Sequence, residues 1–166
     1  MLKVVLGAVI VCITTFCGRL LAGKYRRRKE FFVQMSEFNN RFLTEVSYYK
    51  RPLIEFFEGY SYRGEFQELL EEVIQKRKGS GVLKGAATSI DFSSFSFLNA
   101  DEKALVADYF LTIGKGDSSS QKTYFSGMKE NINAIRKRCE DENKKYGELY
   151  VKLGFLCGLA ILVLIV

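Results

Sequence analysis

A catalyst built on this chain would have to work without histidine, because its 166 residues contain none. The commonest general base is therefore missing, and acid–base work would fall to carboxylates such as Asp101, Glu102 and Asp108. Those three read better as first-turn and exposed-face charges of a helix that Asn99 caps. Gly114-Lys115-Gly116 and Gly79-Ser80-Gly81 are the glycine-rich candidates for a phosphate cradle. A P-loop needs a second glycine five residues after the first, then Lys and Ser/Thr, and a buried strand before it; neither segment complies. Both fit helix-end turns instead. Cys12, Cys17, Cys139 and Cys157 contain no C-x-x-C pair, so with no histidine they suggest neither structural zinc nor a disulfide framework. The sequence predicts no catalytic, cofactor-binding or metal-binding residue.

What remains is architecture. Val4 to Gly18 is uncharged, and the apolar stretch reaches Gly23 with only Arg19 interrupting it. Leu153 to Val166 is uncharged, and that stretch reaches back to Leu149 past Lys152 alone. About 20 helical residues rise roughly 30 Å, the thickness of a bilayer's hydrocarbon core. The expected division is an N-terminal transmembrane anchor over 1–23, a cytoplasmic helical domain over 24–148 and a C-terminal anchor over 149–166. The formal charge of +6 is unevenly placed: residues 30–143 carry 15 basic and 18 acidic groups, and the rest carry 10 basic groups and one acid. A domain of net negative charge lacks the basic stripe of a nucleic-acid reader, so no nucleic-acid partner is expected. The basic excess belongs to the membrane flanks, Lys24, Arg26, Arg27, Arg28 and Lys29 above all, where it sets topology and contacts anionic membrane lipid. A signal peptide is the alternative for the first stretch. Phe16 before Cys17 is too bulky for lipoprotein processing, and dense positive charge after the core resists export, so a retained anchor is expected. Both termini then lie outside, and Cys139 reports a cytoplasmic middle by being shielded from impermeant thiol reagents in intact cells.

The middle reads as all-α, a bundle of about six helices. Phe31, Met35, Phe38, Phe42, Val46 and Tyr49 recur every three or four residues, until Arg51-Pro52 breaks the pattern. Pro52 starts a second helix with Leu53, Phe56, Phe57 and Tyr60, and Gly59 and Gly64 bracket a bend. Phe66, Leu69, Leu70, Val73 and Ile74 mark a third, closed by Lys76-Arg77-Lys78. A short helix is expected around Val82–Ala87, then a Ser/Phe-rich loop over 88–97. A helix with Leu105, Tyr109 and Phe110 ends near Gly114. Asp117 caps the last one, which buries Tyr124, Phe125, Met128, Ile132 and Ile135 and runs toward the C-terminal span.

Two surfaces stand out. Glu65, Glu68, Glu71 and Glu72 line one face of the third helix, which is either a solvated surface or a partner contact. Gly154 and Gly158 lie one turn apart, with Gly147 on the same face, and Gly7, Thr14 and Gly18 give the first span a similar smooth side. Small residues at this spacing let helix backbones approach closely in lipid.

The order of features resembles the stage III sporulation protein AB family along the whole chain. Met1-Leu2-Lys3 with Leu6-Gly7-Ala8, Thr14-Thr15 and Gly18 looks like its first anchor. Glu45-Val46-x-Tyr48 followed by Pro52-Leu53 resembles its kink, and Ile113-Gly114-x-x-Asp117-x-x-x-Gln121 its signature turn. Leu153-Gly154-Phe155-Leu156-x-Gly158-Leu159 resembles its terminal anchor. Pro52, Gly114, Asp117 and Gln121 are thus expected to shape turns. That family is similar to the cytoplasmic helical domains of type II secretion and type IV pilus platform proteins. The resemblance implies a non-enzymatic component of the stage III A channel, in the mother-cell membrane facing the forespore. Its implied partners are the secretion-type ATPase of the stage III sporulation AA kind and the other stage III A membrane proteins. The chain departs from its relatives in lacking a tryptophan near Ala86 and in its Ser/Phe-rich 88–97. A generic adaptor of another secretion or pilus system is the nearest rival, and a membrane-bound enzyme the more distant one.

Overall fold

The computed structural model describes residues 2–49, 52–79 and 90–165, and every regular element among them is helical. The order is α1 (Leu2–Thr44), α2 (Leu53–Glu58), α3 (Gly64–Gly79), α4 (Ala100–Thr112), α5 (Ser118–Glu142) and α6 (Glu148–Ile165). π-helical segments, Glu45–Tyr49 and Asn143–Gly147, follow α1 and α5. The short helix expected around Val82–Ala87 lies outside the described residues, as do Arg51, Ser80 and Gly81.

The chain divides into two units, one of Met1–Lys29 with Lys137–Val166, the other of Glu30–Arg136. In the second unit an aromatic core forms around Phe38 of α1. Its ring lies 5.3 to 6.0 Å from those of Phe56, Phe57, Tyr62, Phe66, Tyr109 and Phe110. Fully burying one such ring contributes about 2–3 kcal/mol. Met35, Leu69, Leu70, Val73, Val106, Phe125 and Ile132 complete the core. Asn39 is a polar residue within it: it accepts from the Tyr109 hydroxyl at 3.0 Å and donates to the Phe125 carbonyl at 3.3 Å. Burial pushes the Tyr109 phenol well above its ordinary range, so that donor stays protonated.

Several expectations change in detail. The π segment takes an extra residue per turn, which rotates the apolar stripe out of register. Glu45 therefore faces inward, while Tyr49 is 64% exposed instead of extending the stripe. Tyr124 and Ile135 are half-buried rather than buried. The Ser/Phe-rich loop is partly interior, since Phe95 and Phe97 stack against Phe31 at 6.2 and 5.8 Å. Glu102 is a first-turn charge as expected, yet it is buried, because its carboxylate closes a capping box on the Asn99 amide.

Candidate docking surface and helix seam

The acidic face lies on α3, whose opposite side buries Phe66, Leu69, Leu70 and Val73. That amphipathic split turns Glu68 and Glu71 to solvent, whereas Glu65 and Glu72 are half-buried. Glu72 is engaged: one carboxylate oxygen accepts from Lys76 Nζ at 2.6 Å and from the Asp91 amide at 3.0 Å. It therefore ties the start of the loop before α4 to α3. Glu71 accepts only the Gln67 side-chain amide among the bonds resolved, at 2.7 Å. The exposed charge of this face is thus carried chiefly by Glu68 and Glu71.

The cations that end α3 point to different tasks. Arg77 Nη2 donates to the Phe110 carbonyl at 2.8 Å and the Ile113 carbonyl at 3.2 Å. These carbonyls end α4, where no intrahelical donor reaches them. Burial holds the Arg77 guanidinium somewhat below its ordinary pKa. Lys78 instead pairs with Glu58 of α2.

The turn between α4 and α5 is built from the predicted residues. Gly114 and Gly116 both sit at φ +84°, where a side chain is strained. Gln121 clamps the turn, accepting from the Gly114 amide at 3.3 Å and donating to the Lys115 carbonyl at 2.9 Å. Asp117 caps α5 through the Ser119 amide at 3.2 Å and pairs with the Ser120 hydroxyl. A methyl on Gly114 would lie 2.8 Å from Leu53 Cδ2, so this turn meets the segment that Pro52 opens. A groove of about 180 Å³ runs there, lined by Phe42, Glu45, Val46, Leu53, Gly114 and Gln121. Two motifs separated by some sixty residues in sequence therefore border one feature.

Removing the cap gives a pH-dependent loss. The Ser120 hydroxyl, then the Ser119 amide among others, hold the Asp117 carboxyl below its ordinary 3.8. A depressed folded pKa means the cap's stabilisation is present above the unfolded value and is lost as pH falls through the folded one. Asp117→Ala should melt at a lower temperature than wild type at neutral pH, with the gap closing below pH 3.8. A gap that is the same at acidic and neutral pH would remove the charged cap from the explanation.

In the other unit α1 and α6 meet along their glycines. A methyl on Gly154 would fall 2.6 Å from the Thr14 carbonyl oxygen, and one on Gly18 would fall 2.5 Å from that of Tyr150. At Gly158 it would meet Val11 Cα at 2.8 Å, and at Gly7 the Leu162 side chain. The hydroxyls in this apolar stretch turn back on their own helix, Thr14 to Ile10 and Val11, Thr15 to Val11. Away from the seam, Val9, Ile13, Phe16, Leu20, Phe155, Leu156 and Val163 are exposed. Both helices are long and apolar enough to cross a membrane, and little of either apolar window is buried inside the protein. Toward the polar end Tyr25 stacks on Tyr146 at 5.4 Å and Tyr150 at 6.0 Å, and Arg28 pairs with Glu142.

Of the three candidate acids, Glu102 closes its capping box, Asp108 accepts the Tyr124 hydroxyl, and Asp101 is exposed in the first turn of α4. Sequence reasoning missed Asn39, Arg77 and the inward Glu45. An asparagine within the Phe38–Phe42 stripe was the one available signal for the first. Residues 3–166 match the family described as stage III sporulation protein AB. No curated protein and no solved structure matches the chain.

Proposed function

The chain belongs to the stage III sporulation protein AB family, and on that footing we propose that it is a non-enzymatic membrane platform. In this reading it docks a secretion-type ATPase of the stage III sporulation AA kind to the channel between mother cell and forespore. The observation that carries it is the family match over nearly the whole chain, which takes in both apolar helices and the domain between them. The carboxylates placed in the helical unit support it further, because they serve caps, ion pairs and an exposed acidic face.

Basic residues set the topology: Arg19 to Lys29 follow the first span, Lys144 and Lys145 precede the second, and the domain between them stays in the cytoplasm. Cys139 is a poor reporter of this, since it is only 1% exposed. The exposed Ser126 on α5 serves better. With Cys12, Cys17 and Cys157 changed to Ala, Ser126→Cys should resist an impermeant maleimide in intact mother cells and react after permeabilisation. Labelling of intact cells would reverse the topology.

Glu68 and Glu71 steer the ATPase toward the domain, a long-range attraction that salt screens. Glu68→Lys with Glu71→Lys should weaken ATPase capture about tenfold at low salt, with wild-type melting. Glu72→Lys should instead lower the melting temperature, because it breaks the tie to the Asp91 amide. Undiminished capture by the Glu68/Glu71 variant would exclude this face.

A further inference from the structure

Each apolar stretch is interrupted by a single charge, Arg19 in the first and Lys152 in the second. The fold brings both to one cleft of about 760 Å³ between α1 and the start of α6, shared with Arg26 and Lys144. Glu148 is the only carboxylate in the lining, and it is 3.2 Å from Lys152. Among the described residues no carboxylate pairs with Arg19, Arg26 or Lys144. Arg28, on the same helix as Arg19 and Arg26, is by contrast paired with Glu142. The cleft's volume falls in the range of small-molecule sites, roughly 300–1,000 Å³.

Its depth says what would fill it. Arg19 and Arg26 are seven residues apart on one helix, so the cleft runs about 10 Å along the axis. That spans a head-group layer of roughly 5–7 Å on each side of the hydrocarbon core. The stacked Tyr25, Tyr146 and Tyr150 mark the same level, where tyrosines favour the interface. Exposed Leu20 and Leu21 on α1 and Leu149 and Leu153 on α6 adjoin Arg19 and Lys152 and offer apolar surface to acyl chains. Room comes from glycine: a methyl on Gly23 meets nothing within 4 Å, and Gly147 sits in the π-helical turn. We propose that this cleft binds the phosphate of an anionic phospholipid head group, with Arg19 and Lys152 at the phosphate and Arg26 and Lys144 at its outer edge. The bound lipid would hold α1 against α6 at the membrane surface, just beyond the glycine seam.

Such a site requires the terminal helices to enter a bilayer but is independent of which ATPase is docked. Native mass spectrometry of the full chain, released from vesicles containing phosphatidylglycerol and phosphatidylcholine, should show phosphatidylglycerol retained in preference. Arg19→Gln with Lys144→Gln should reduce that retention about tenfold. Gly23→Leu, which fills the cleft and leaves every charge in place, should reduce it similarly while the protein still sediments with membranes. Equal retention of the two lipids, or unchanged retention in Gly23→Leu, would overturn the proposal. Displacement of the lipid by millimolar inorganic phosphate would overturn it too, by assigning the cleft to a soluble anion. Protein that fails to sediment with vesicles at all would instead contradict the membrane reading on which the platform also depends.

Discussion

Gly154→Ile combined with Gly158→Ile is expected to abolish the contact between the two terminal helices while leaving both able to insert. At Gly154 even the first carbon of a side chain would stand 2.6 Å from a backbone oxygen and 3.3 Å from Gly18 Cα. Those neighbours are main-chain atoms and cannot rotate away. Helix contacts in lipid rest on close packing with no hydrophobic drive behind them, so a clash with main-chain atoms removes their basis. A reporter pair is available, because a carbon on Gly7 would lie 3.7 Å from Leu162 Cβ, within the span that a disulfide bridges. With Cys12, Cys17 and Cys157 changed to Ala, Gly7→Cys and Leu162→Cys should crosslink readily. Adding the two isoleucines should lower the yield by more than tenfold, and Gly154→Ala alone should act in between. Equal crosslinking in all three would show that the seam does not depend on its glycines.

The second large effect is expected at the turn. Gly114→Val should destabilise the helical unit by about 3 kcal/mol, since a branched residue at positive φ adds strain to a steric conflict. The conflict is with Leu53 Cδ2, 2.8 Å from the new carbon. Two variants separate the terms. Gly114→Asn tolerates the backbone conformation but keeps the clash, so it should be intermediate. Leu53→Ala should recover part of the loss in Gly114→Val, a coupling that two independent sites would not show. Urea unfolding of the purified protein, followed by circular dichroism, measures each variant against wild type. A Gly114→Val protein as stable as wild type would mean that the turn accommodates a side chain.

The elements that were legible in the sequence are those governed by local rules. Phe31 to Phe42 repeat at helical spacing, Asn99 caps a helix with Glu102 in its first turn, and Gly114 ends a helix at positive φ. The long apolar ends are helices, as their composition required. What was not legible depends on distant partners. Tyr49 has the spacing of a core residue, but the π segment turns it outward, and no pattern of apolar residues encodes that extra residue per turn. Phe95 and Phe97 lie in a segment without periodicity, so only the space beside Phe31 explains their burial. Arg77 looked like one more cation at a helix end, and its role on the carbonyls of α4 follows from helix packing. The same holds for the acidic face. Spacing groups four glutamates, and the fold then takes Glu72 out of the group by bonding it to the Asp91 amide.

The docking role proposed for this protein is open to a direct measurement. The full chain, reconstituted in nanodiscs, should be presented with the secretion-type ATPase of the same sporulation system and the bound fraction measured by sedimentation. A docking platform should give saturable capture that weakens with salt, with no ATP hydrolysed by the platform alone. Absence of capture at low salt by a correctly inserted, folded protein would contradict it.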